Sequence, residues 1–105
     1  MIDWNLPAIT LANRVRGLSP WPGAYTTAEG DRWTIWRALA LPGPMTKPPG
    51  VIVAVTNEAI HVATGHGALA VMELQPANSR RMAVSQYLAG HHVTVGLQLG
   101  RLDLS

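Results

Sequence analysis

Three apolar runs, "VIVAV" at 51–55, "AIHVAT" at 59–64 and "ALAVMELQ" at 68–75, follow one another with only three residues between each pair. The breaks, Thr56-Asn57-Glu58 and Gly65-His66-Gly67, carry turn chemistry. Neither leaves room for the roughly dozen residues that a parallel crossover requires. These runs are therefore expected to be antiparallel strands. Upstream, "AYTT" and "RWTIWRALA" flank Glu29-Gly30-Asp31, a hairpin-like break between segments rich in aromatic and branched residues. Five or so short strands at near-even spacing predict a small antiparallel barrel or sandwich.

Composition agrees with one domain built of short elements. The 105 residues are 48% hydrophobic and 13% charged, with eight prolines and ten glycines spread along the chain. The stretch "LPGPMTKPPG" at 41–50 holds four of those prolines and is expected to be an exposed connection. The absence of cysteine excludes disulfides and thiolate metal sites. No apolar run approaches the ~20 residues of a membrane span, and "MIDWNLPAIT" lacks a basic segment before an apolar one. A cytoplasmic protein with no membrane partner is the expectation.

Two short helices bracket the strands. Asn5 is expected to cap the first, with Pro7 in its first turn and Ala8, Leu11, Ala12, Val15 and Leu18 on one face. Arg14 and Arg16 fall off that stripe. In "LSPWPGAYTT" Pro20 stops the helix, Trp21 is held extended by the next proline, and Pro22-Gly23 suits a type II turn. Trp21 is expected to fasten helix to barrel. The second helix, about "AVSQYLA", is expected to end on Gly90 in a left-handed stop.

Catalytic chemistry is sparse. Gly65-His66-Gly67 lacks both the GxGxxG spacing and a following helix, so a tight turn outweighs a phosphate loop. His61, His66, His91 and His92 show no HExxH spacing, and no metal site is expected. His61 is placed on the solvent face of a strand and the His91-His92 pair on a surface loop. Ser19, Ser79, Ser85 and Ser105 sit in no nucleophile elbow, and six acids offer no paired carboxylates near a base.

The remaining signal is arginine interleaved with aromatics in a chain of pI 9.7. Strict alternation along "RWTIWR" puts Arg32, Thr34 and Trp36 on one face and Trp33, Ile35 and Arg37 on the other. One reading makes a tryptophan part of the core with the arginines passing over it. The other makes a face that presents Arg and an aromatic to RNA, enlarged by Arg80, Arg81 and Lys47.

The segments "IDWNLPAITLANRVRGLSPWPGAYTT", "WTIWRA", "GALAVMELQPANSRRM" and "YLAG" resemble the C-terminal domain of methionyl-tRNA formyltransferases over nearly the whole chain. That resemblance implies an open, OB-like Greek-key β-barrel, mainly β with two short helices, as one domain over 1–105 whose catalytic N-terminal domain is absent. It implies a non-catalytic module that holds initiator tRNA, weakly by itself, beside the N-terminal formyltransferase domain of the parent. The parent uses 10-formyltetrahydrofolate, and no cofactor is implied for this domain.

Arg80, Arg81 and Arg37 match basic positions of the family, as do Arg14 and Arg16; with Arg32 and Lys47 they are the tRNA-binding candidates. The chain departs from the pattern at Thr34, where the family commonly has Lys, at Ala83, where it has a Ser cap, and at Leu97, where it has an acid. The alternatives are a partner-orienting barrel of a sugar-nucleotide or other formyltransferase, and a stand-alone interaction domain. The "ELQP…RRM" loop fits the tRNA enzyme better than either.

Overall fold

A computed structural model of the chain describes residues 2–18, 24–44 and 46–100. The expected corner Pro20, Trp21, Pro22 and Gly23 lies outside the described residues. The order of elements is α1 (Ala8–Leu18), β1 (Ala24–Ala28), β2 (Asp31–Leu41), β3 (Ile52–Val55), β4 (Ile60–Ala63), β5 (Ala68–Pro76), β6 (Met82–Ala83) and α2 (Val84–Gly90). All strand pairs are antiparallel, in the order β1-β2-β5-β4-β3, with β6 added to the far half of β5.

This order is a Greek key. Strands β3, β4 and β5 are joined by short turns, and the proline-rich stretch after Leu41 is the long connection that lets β2 lie beside β5. The β1–β2 hairpin turns on Glu29 and Gly30, both at positive φ (50° and 86°), which matches the twist of the strands it joins.

Strand pairing does not close the sheet. The gap is crossed by segment 96–100, which hydrogen-bonds to β3 through Gly96 N to Ile52 O at 2.7 Å and Ile52 N to Leu97 O at 2.9 Å. Its last described residue reaches β1, with Gly100 N donating to Thr27 O at 2.9 Å. The barrel is thus open in its ladder and bridged by a loop, which shields edges that would otherwise be exposed.

Inside sit Leu11 and Val15 of α1, Trp33 and Ile35 of β2, and Ile52, Ile60, Leu69 and Leu74 of the other strands. Trp4 is buried with them, its indole N–H donating to Thr26 Oγ1 at 3.0 Å in the core.

Three expectations are corrected. Asn5 does not cap α1: its backbone and side-chain N–H groups donate to Asp3 Oδ1. The free N–H of Ala8 is instead satisfied by His66 O at 2.9 Å, from the Gly65-His66-Gly67 turn. Gly90 is the last helical residue and has no positive φ; the chain leaves α2 through an extended His91 at φ −140°.

The third correction concerns Arg37. Ile35 pairs with Leu74 and Arg37 with Glu73, so Trp36 is an extra residue in a β-bulge. The bulge inverts the alternation, leaving Trp33 and Ile35 in the core and Arg37 outside with Glu73.

Candidate functional site

The outer face of β1, β2 and β5 gathers arginines and aromatic rings. Register places Tyr25, Thr34 and Gln75 in one row across the three strands. Arg32, one row further on, lays its guanidinium 3.9 Å from the Tyr25 ring centroid, a cation–π contact.

A connected chain of polar contacts holds the rest of the face. Gln75 Nε2 donates to Ser79 O at 3.0 Å, and its Oε1 accepts the Trp36 indole N–H at 2.9 Å. Arg81 stands over the Trp36 ring, 5.0 Å from its centroid, and its Nε donates to Glu73 Oε1 at 2.9 Å. Glu73 Oε2 lies 3.8 Å from Arg37 Nη1.

Exposed ion pairs of this kind add little stability, about 0–1 kcal/mol each. Their effect is geometric. With Nε committed to Glu73, Arg81 keeps its two terminal NH₂ groups for an outside acceptor, and a fork of that shape matches a phosphate.

The sequence-predicted arginines divide accordingly. Arg32, Arg37 and Arg81 share the outer face, and Arg80 is exposed next to Arg81. Arg16 and Arg37 both line a depression between α1 and β2, and one terminal nitrogen of Arg16 donates to Asn13 Oδ1. Arg14 on α1 and Lys47 in the proline-rich connection are exposed, and neither joins the ion pairs formed among the described residues. Tyr25, Glu73 and Gln75 were not legible as site residues, because they reach the arginines through strand register and not through sequence proximity. Trp36 was legible from "RWTIWR".

The histidines lie elsewhere. His61 is half-buried between the buried Ile60 and Val62, in keeping with the outer face of β4, and His91 stacks on Tyr87 at 4.3 Å between centroids. Burial pushes the Tyr87 phenol above the ordinary tyrosine range. Among the described residues no three His, Asp or Glu side chains converge on a point that could hold a metal ion. No described helix is long and apolar enough to cross a membrane.

The described residues define a small β-domain, an open Greek-key barrel that carries arginines and aromatic rings on its outer face. The formyl transferase C-terminal domain family model matches residues 1–92, and the chain belongs to that family. Among its relatives, the methionyl-tRNA formyltransferase of Geobacillus sp. (strain WCH70) is 44% identical over 94% of this chain and 32% of its own length. That of Bacillus subtilis (strain 168) is 45% identical over 95% of this chain and again 32% of its own length. The chain therefore spans about a third of these relatives. In fold it is similar to HypX from Aquifex aeolicus, solved in complex with tetrahydrofolic acid, with a TM-score of 0.69 at 20% identity over 92% of this chain and 20% of that one.

Proposed function

We propose that this domain holds initiator methionyl-tRNA for a formyltransferase domain of the same parent enzyme. The observation that carries the reading is the outer-face array in which Glu73 orders Arg81 and Arg37, Gln75 pins Trp36, and Arg32 lies on Tyr25. Guanidiniums spaced along a face bind a phosphate backbone, and the half-buried Tyr25 and Trp36 rings beside them can add stacking that tolerates any base. The choice of partner is supported by the relatives, which are named methionyl-tRNA formyltransferases.

Formyl transfer and 10-formyltetrahydrofolate belong, in this reading, to the catalytic domain, and this chain alone turns over no charged tRNA. With a few phosphate contacts binding is weak and strongly salt-dependent. Three contacts imply a loss of roughly 40-fold when salt rises from about 50 to about 200 mM. Titration of initiator tRNA by fluorescence anisotropy at both salts tests this. Absence of binding at both, or affinity indifferent to salt, overturns it.

A further inference from the structure

The depression between α1 and β2 has a volume of about 340 Å³ and is lined by Ala12, Val15, Arg16, Trp36, Arg37, Ala38 and Leu39. Its walls are of two kinds. Ala12, Val15 and Ala38 give an apolar floor, while Arg16 from α1 and Arg37 from β2 are its charged lining residues. No acidic side chain lines it among the described residues.

The β-bulge creates this arrangement. In an unbroken strand Trp36 and Arg37 would point to opposite faces; the extra residue lets both line one groove. Both also belong to the outer-face array, so the groove opens directly off it.

We propose that this groove receives one unstacked nucleotide of the RNA, its base on the apolar floor against Trp36 and its phosphate between Arg16 and Arg37. The proposal rests on the RNA reading above. A free inorganic anion would leave the apolar floor and the indole unused, and an apolar peptide side chain would bring no acceptor to Arg16 or Arg37. The volume lies at the low end of small-ligand sites, with room for about one nucleotide. Unpaired, splayed bases stacked on aromatic side chains are the usual means of reading single-stranded RNA, and duplex RNA cannot enter such a groove.

The test uses the full chain with ¹⁵N-labelled tryptophan, the Trp36 indole resonance being assigned by Trp36→Phe. The probes are tetra-adenylate and a short blunt RNA duplex. Tetra-adenylate is expected to shift the Trp36 indole N–H. Ala38→Leu, which fills the floor, and Arg16→Gln, which sits on an exposed helix position and leaves the core intact, are each expected to weaken tetra-adenylate binding at least about fivefold. Both should weaken duplex binding less than they weaken tetra-adenylate binding.

An unmoved Trp36 resonance, or equal losses for both RNAs, overturns the nucleotide site while leaving the RNA reading in place. A shift produced by a short acidic peptide and not by tetra-adenylate overturns it in favour of a protein ligand. Binding of neither RNA overturns both the site and the reading on which it rests.

Discussion

Arg81 donates its Nε–H to Glu73 Oε1 at 2.9 Å while its guanidinium lies 5.0 Å from the Trp36 ring centroid. Arg37 approaches the other oxygen of the same carboxylate, so one acid spaces two cations.

Removing that acid separates charge from stability. All three side chains are partly exposed, so Glu73→Gln should change unfolding free energy by less than about 1 kcal/mol. Its effect on RNA is larger in proportion. A unit negative charge ~6 Å from a phosphate costs ~0.7 kcal/mol in water, so the variant should bind tRNA about threefold tighter at low salt. A weaker complex in the same anisotropy titration would mean that the ordering of the arginines by Glu73 outweighs its repulsion of the phosphate.

Thr26 has no exposed surface and supplies the acceptor for the buried Trp4 indole N–H. Thr26→Val keeps the shape but leaves that donor unpaired. The expected cost is about 1–3 kcal/mol, read as a lower denaturation midpoint in urea with unchanged slope. An unchanged midpoint would show that the indole finds another partner.

Gly65 has no room for a side chain, because a Cβ there would lie 1.8 Å from the carbonyl oxygen of Asn5. Gly65→Ala must push apart the turn that caps α1 and the segment leading into that helix. A loss at the upper end of about 1–3 kcal/mol is expected. Gly17, inside α1 with nothing within 4 Å, is the control: Gly17→Ala should stabilise by up to about 1 kcal/mol. Equal effects at the two positions in parallel thermal melts would refute the packing argument.

Tyr87 gives the fold an alkaline limit. Its phenol is raised above the ordinary tyrosine value of about 10 because burial disfavours the phenolate. The folded state therefore holds this proton more tightly than the unfolded chain. That contribution is fully present below pH ~10 and is lost as pH rises through the folded value. Tyr87→Phe should flatten the decline of stability above pH ~10 without altering the profile near neutrality. Superimposable alkaline profiles for the two proteins would assign the decline to other groups.

Local signals in the chain carried most of the architecture. The spacing of apolar runs excluded parallel crossovers, four prolines after Ala40 marked the long connection of the Greek key, and Ala8, Leu11, Ala12 and Val15 named the buried face of α1. These are properties of neighbours within one element, where period and turn chemistry suffice. The same kind of signal put Arg32 and Thr34 on the face of β2 opposite Trp33.

What the sequence could not decide were relationships that arise when distant segments meet. The N-terminus of α1 is satisfied by the His66 carbonyl, about sixty residues away, so no local residue had to act as cap. The bridging of the open sheet depends on Gly96–Gly100 meeting both β3 and β1. Above all, the face on which Arg37 lies was set by a one-residue mismatch between β2 and β5 at Trp36. A strand's own alternation cannot reveal its partner's register. Tertiary pairing alone moved Arg37 out of line with the core residues and brought it to Glu73, Arg81 and the groove.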